Sequence, residues 1–172
     1  KPDFACTAKA ITNAYFPFGA VMIGEGVAEL FENDTTGRAA IGHGYTYSGH
    51  PVGAAAALAC LAETQRLNVK NNAAARGAEL FAGLQALQAK HEAIGDVRGG
   101  YGLMLALEMV ADRATKKPAD KAAPATVQSV AYKAGTMVRV SGPNIILSPP
   151  LVLTSADVQV ILASLGEGFS AL

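Results

Sequence analysis

Phe4-Ala5-Cys6-Thr7-Ala8-Lys9-Ala10-Ile11-Thr12-Asn13 is the stretch on which the reading of this chain turns. Lys9 closes an apolar run and stands just before a turn-prone segment. A lysine ordinarily keeps its charge in water on an exposed helix face. An amine held against apolar walls is instead placed to form a Schiff base with an aldehyde cofactor. A merely solvated lysine is the alternative, and the segments downstream decide between the two.

Outward from Lys9, residues 3–7 read as a short buried strand and residues 18–23 as another, ended by Gly24. A short helix over about 25–32 follows. A loop rich in Gly, Thr and Asn then runs from Asn33 to Gly49. Pro51 opens a helix where its missing N–H costs nothing, and the helix continues to about Leu67. Its alanines, Ala54 to Ala57 and Ala59, imply close packing on all sides. A second helix, about 69–90, carries Leu80, Leu84 and Leu87 on one stripe and is half-exposed. Val97 begins a glycine-rich turn, Arg98-Gly99-Gly100-Tyr101-Gly102, that feeds a central strand over Leu103 to Val110. Residues 111–124 are linker-like. A helix over about 125–134 stops at Gly135, with strands near 136–140 and 144–148 beyond it. Thr154 to Asp157 resembles a capping box. It starts a last helix whose Val158, Ile161, Leu162, Leu165 and Phe169 share a face. Strands alternating with helices argue for α/β architecture, and a boundary falls near residue 68.

Composition narrows the function classes. The 172 residues are 51% hydrophobic and 16% charged, so a substantial core can form. Fourteen basic residues balance fourteen acidic ones, which gives no reason to expect a nucleic acid or an anionic membrane as partner. Low charge with high apolar content hints at surface buried against another chain. Cys6 and Cys60 are the only cysteines, too few and too far apart for a zinc site or a disulfide framework. Each reads as a small buried hydrophobe, and a reducing, cytoplasmic setting is favoured. No apolar run reaches the roughly 18 residues of a membrane span, and no signal peptide is visible. The chain opens on Lys1 rather than Met and leads straight into a strand, so it reads as a piece of something larger.

Three segments could join Lys9 in chemistry. In His43-Gly44-Tyr45-Thr46-Tyr47-Ser48-Gly49-His50-Pro51, hydroxyls and free N–H groups just before a helix make an anion site, or else an ordinary capped loop. The glycines of Arg98 to Gly102 read as structural. Arg139 lies between Val138 and Val140 on an apolar strand. It grips a carboxylate through both guanidinium arms, or it forms a structural salt bridge.

Taken together these residues resemble a known family. Ala8-Lys9-Ala10-Ile11-Thr12-Asn13-Ala14-Tyr15-Phe16-Pro17-Phe18-Gly19-Ala20 is similar to the cofactor-lysine segment of class III pyridoxal-phosphate aminotransferases. Tyr45-Thr46-Tyr47-Ser48-Gly49-His50-Pro51 is similar to the branch with the ω-amino acid–pyruvate aminotransferases. Arg139-Val140-Ser141-Gly142-Pro143-Asn144-Ile145-Ile146-Leu147-Ser148-Pro149-Pro150-Leu151 resembles that branch near its C-terminus. The likeness covers the whole chain in family order. It implies a fold-type I transferase, with residues 1–68 the end of the large cofactor-binding domain and 69–172 the small C-terminal domain.

The same resemblance implies roles. Lys9 would hold pyridoxal 5'-phosphate covalently and move the proton in transamination. Thr46, helped by the Tyr45 backbone, would bind the cofactor phosphate of the neighbouring subunit of a homodimer. Arg139 would receive a substrate carboxylate and swing aside for an uncharged amine. An amine or ω-amino acid would be the donor and a keto acid such as pyruvate the acceptor, with no metal. Ala10 and Ala14 depart from the pattern, since glycine is frequent there. The phosphate loop, stacking aromatic and ring-nitrogen aspartate have no counterpart in these residues and would precede Lys1. An aminomutase, a dialkylglycine-type decarboxylase, or an incomplete fragment without activity are the rival readings.

Overall fold

In the computed structural model, which describes residues 1–172, the apolar run before Lys9 is strand β1 (Phe4–Ala8). It pairs antiparallel with β2 (Gly19–Ile23) in a register from Phe4↔Ile23 to Ala8↔Gly19. The expectation of a buried strand is not met within this chain, since Phe4 is 57% exposed and β1 shows no fully buried residue. A two-stranded ribbon has no second layer to cover it. Cys6 is likewise exposed and Cys60 half-buried, so neither is the enclosed hydrophobe expected.

The Gly24 N–H donates to the Asp3 carbonyl at 2.7 Å, and helix α1 (Glu25–Glu32) starts there. Residues 33–50 carry no regular element. Helix α2 (Pro51–Arg66) has its proline in the first turn, as the sequence suggests. Only Gly53 and Ala57 of α2 are buried, which corrects the expectation of packing on every face. Alanine is a strong helix former whatever surrounds it, so an alanine-rich helix does not report how many of its sides are covered. Gly53 is required by proximity, because a Cβ there would lie 2.8 Å from the Phe18 ring and 3.0 Å from Phe16.

By Cα proximity the chain divides into two compact units, Lys1–Leu67 and Asn68–Leu172. The second contains helix α3 (Val69–Lys90), strands β3 (Ile94–Arg98), β4 (Leu105–Asp112) and β5 (Lys117–Pro118), and helix α4 (Ala122–Lys133). Strands β6 (Arg139–Ser141) and β7 (Asn144–Leu147) and helix α5 (Ser155–Ser170) complete it. The strand order is β3-β4-β7-β6, with β5 paired to β4, and every pairing is antiparallel. Alternating helices and strands therefore produce a mixed α/β chain without a parallel crossover sheet.

Alternation on β4 buries Leu105, Leu107 and Met109 on one face, and β7 adds Ile145 and Leu147. These meet Leu80 and Leu84 of α3, Val127 and Ala131 of α4, and Val158, Ile161, Leu165 and Phe169 of α5 in one apolar core. Leu87 and Leu162 are only partly buried at its edge. The capping box is complete, with the Asp157 N–H donating to the Thr154 hydroxyl and the Thr154 N–H to the Asp157 carboxylate.

Several element bounds differ from those expected. Ile94–Arg98 is a strand, where a turn from Val97 was expected, and α4 begins at Ala122 rather than near 125, with β5 inside the linker-like stretch. The glycine turn itself is structural as read. Gly102 has φ +77°, and a Cβ on Gly77 of α3 would fall 2.1 Å from the Gly102 carbonyl oxygen. No helix is long and apolar enough to cross a membrane.

Candidate active site

Lys9 is the first residue of the turn that leaves β1, and its φ of 55° is left-handed. A non-glycine residue pays for that conformation, and such outliers concentrate at functional sites. Asn13 (φ 48°) and Ala14 (φ 64°) follow in the same conformation, so the connection between the paired strands is strained at several positions.

Hydrogen bonds hold the strain in place. The Thr12 N–H donates to the Lys9 carbonyl at 3.3 Å, and Asn13 N–H to the Ala10 carbonyl at 3.2 Å. Thr12 is 1% exposed, and its hydroxyl donates to the Phe16 carbonyl at 2.6 Å. The Lys9 side chain is exposed and belongs to none of the chain's ion pairs. Apolar walls around the amine, expected from the sequence, are therefore not supplied by these residues. What they do supply is a primary amine free of internal partners on a pinned backbone. That chemistry fits an aldehyde-bearing cofactor.

The loop that carries Thr46 is closed by a reciprocal pair. The Tyr45 N–H donates to the Ser48 hydroxyl at 2.9 Å, and the Ser48 N–H to the Tyr45 carbonyl at 2.9 Å. Both backbone groups of Tyr45 are thus spent on the turn. Thr46 is exposed, and its hydroxyl and N–H are not engaged by the loop. Gly49 follows at φ +70°, and the His50 carbonyl accepts the first helical hydrogen bond of α2, from the Ala54 N–H at 3.1 Å. This donor set suits an oxyanion at Thr46, with Tyr45 and Ser48 fixing the turn.

Aromatic contact joins the two segments. The Phe16 and His50 ring centroids are 4.9 Å apart, and those of Tyr47 and His50 6.4 Å. With Pro17, Phe18, Gly19 and Gly49 they line a cavity of about 410 Å³ that neither Lys9 nor Thr46 enters. His50 Nδ1 is buried there without a hydrogen-bond partner. Thr12, Phe16 and His50 were not singled out by sequence reasoning. A threonine inside an apolar segment was the available signal for the first.

Arg139 opens β6 opposite Ile146, exposed, while Val138 before it is buried. The chain's ion pairs engage Arg66, Arg76, Arg98 and Arg113 but not Arg139, so the salt-bridge alternative is not realised within this chain. Arg139 instead borders a groove of about 750 Å³ whose walls include Met137, Val152 and Val160, with Gln128 and Thr136 among its polar members. Asp157 also borders the groove, but Thr154 occupies its carboxylate.

The model of the family "Aminotransferase class-III" matches residues 1–168. Rice (Oryza sativa subsp. indica) gamma-aminobutyrate transaminase 1, a mitochondrial protein, is 32% identical over 99% of this chain and 33% of its own length. Taurine–pyruvate aminotransferase of Bilophila wadsworthia is 34% identical over the full chain and 39% of its own length. An amine transaminase from an uncultivated Pseudomonas species, solved in its PLP-bound form, superposes with a TM-score of 0.91 at 42% identity. The superposition covers 99% of this chain and 38% of that one. The chain thus spans about a third of the length of the curated relatives it matches. Its fold is that of the matching part of fold-type I transaminases, whose cofactor is pyridoxal 5'-phosphate. With the family model matching residues 1–168, the chain belongs to the class III aminotransferase family.

Proposed function

We propose that this chain is the C-terminal part of a pyridoxal-phosphate aminotransferase that moves an amino group from an amine or ω-amino acid to a keto acid such as pyruvate. Residues 1–68 would close the large cofactor-binding domain, and 69–172 would be the small domain. The working unit would be a cytoplasmic homodimer. The observation that carries the reading is Lys9, a free amine at a left-handed residue fixed by the Thr12 hydrogen bonds. Transaminase relatives over the whole chain support it.

Pyridoxal phosphate, when bound, supplies an aldehyde for amine exchange and a ring that accepts the electron pair of the breaking C–H bond. Lys9 Nζ would hold the cofactor at that aldehyde, and a substrate amine would compete for the same position. Once free, the Lys9 amine would act as the general base and acid that moves the proton in transamination. Thr46, whose hydroxyl and N–H the loop leaves free, would bind the cofactor phosphate of the neighbouring subunit. The Tyr45–Ser48 pair would hold that loop in shape for it. Arg139 receives the carboxylate of the keto acid, and its lack of an internal ion pair leaves it free to move away for an uncharged amine.

Lys9→Ala in the complete enzyme should abolish turnover together with the visible absorbance of the lysine-bound cofactor. Retention of both would end the assignment.

A further inference from the structure

The backbone that delivers Arg139 is held from outside its sheet. Strand β6 is the edge of the order β3-β4-β7-β6 and pairs with β7 at only three positions, Arg139↔Ile146, Val140↔Ile145 and Ser141↔Asn144. An edge strand leaves one row of backbone groups without a neighbour. Immediately before Arg139, the Val138 carbonyl accepts a hydrogen bond at 2.8 Å from the Gln128 carboxamide of α4. Val138 is buried, so its side chain anchors one side of the residue while Gln128 anchors the carbonyl. Gln128 and Arg139 border the same groove.

We propose that Gln128 is a positioning residue for Arg139, and through it a determinant of keto-acid use. The inference rests on the reading of Arg139 as the carboxylate receiver. An arginine that swings between two arrangements needs a backbone that does not swing with it. The Gln128 carboxamide provides that fixed point, since it holds the carbonyl of the residue just before the edge strand. Without it, the Val138 carbonyl loses its partner and the Arg139 backbone gains freedom. Bidentate recognition of a planar carboxylate is sensitive to such freedom, because both N–H···O bonds need correct alignment at once. An amine without a carboxylate makes no demand on Arg139 and is indifferent to Gln128.

The test compares Gln128→Met, similar in length without a donor, Gln128→Lys, which retains an N–H donor, and Arg139→Ala, all in the complete enzyme. The two half-reactions are measured separately, with 1-phenylethylamine as donor and pyruvate as acceptor. Binding of unreactive propionate to the resting enzyme is followed by calorimetry. Gln128→Met is expected to raise the pyruvate KM and the propionate Kd by about 3- to 10-fold, the range of one ordinary hydrogen bond. The amine half-reaction should stay within about 2-fold, and Gln128→Lys should recover much of the loss. Equal losses in both half-reactions, or none, with Arg139→Ala still selective against pyruvate and propionate, would overturn the role of Gln128 and leave Arg139 standing. An Arg139→Ala variant that is not selective would remove the carboxylate reading, and the role of Gln128 with it.

Discussion

The Thr12 hydroxyl donates to the Phe16 carbonyl at 2.6 Å, across the turn that begins at Lys9. Thr12 is buried, so this bond closes the turn from the inside while Lys9 faces outward. Thr12→Val keeps the shape and removes the donor. The expected cost is about 1–3 kcal/mol, because the carbonyl is left unpaired. Thermal unfolding of the complete enzyme should show it, and cofactor occupancy by absorbance should fall. Thr12→Ser, which keeps the hydroxyl, should lose less of either.

Ala14 and Ala10 both depart from the glycine frequent in the resembled family, but only Ala14 is left-handed, at φ 64°. A methyl group in that region costs roughly 1–2 kcal/mol, partly offset because glycine has more freedom to lose on folding. Ala14→Gly should therefore stabilise the protein by up to about 1 kcal/mol. Ala10→Gly should stabilise nothing. Paired urea denaturation curves decide, and a gain at position 10 instead of 14 would contradict the strained turn.

The Asp34 carboxyl is lowered to about 2 from its ordinary 3.8, chiefly by the Thr36 hydroxyl and then by the backbone N–H groups of Ala39 and Thr36. A depressed carboxyl stabilises the folded loop fully above its unfolded value and loses that contribution as pH falls through the folded one. The 34–39 loop should thus stay closed at pH 5 and open progressively between about pH 4 and pH 2. Amide exchange at Thr36 and Ala39 follows the opening, and Asp34→Asn should show fast exchange at these amides already at neutral pH. Asp157, lowered chiefly by the Thr154 hydroxyl, follows the same sign at the start of α5.

Leu84 is fully buried in the core between α3 and the sheet, whereas Met104 is largely exposed beside the glycine turn. Leu84→Ala should cost about 2–5 kcal/mol through lost transfer energy and the cavity it leaves. Met104→Ala should fall within about 0.5 kcal/mol of the parent. Chemical denaturation measures both.

What the sequence disclosed depended on how locally each feature is determined. The capping box at Thr154 and the face of Val158, Ile161, Leu165 and Phe169 are written in spacing alone, and they stand in α5 as read. Strand β3 was missed because Gly95 and Asp96 suit a turn, and only pairing with β4 makes Ile94–Arg98 extended. Helix α2 was misjudged because alanine gives no amphipathic direction. At the site, residue types pointed to Lys9, to the hydroxylated segment 43–51 and to Arg139, and the resemblance alone implied a role for Thr46. The left-handed backbone at Lys9, the spent backbone groups of Tyr45 and the Gln128 bond to Val138 arise from tertiary geometry, which carries no sequence pattern.

Reductive trapping shows which nitrogen holds the cofactor, for which we propose Lys9 Nζ. The complete enzyme is treated with borohydride, digested, and its peptides are sequenced by mass spectrometry. The phosphopyridoxyl mass should appear on Lys9. The same mass on a different lysine, or on none in an enzyme that retains its cofactor absorbance, would exclude Lys9 as the cofactor's anchor.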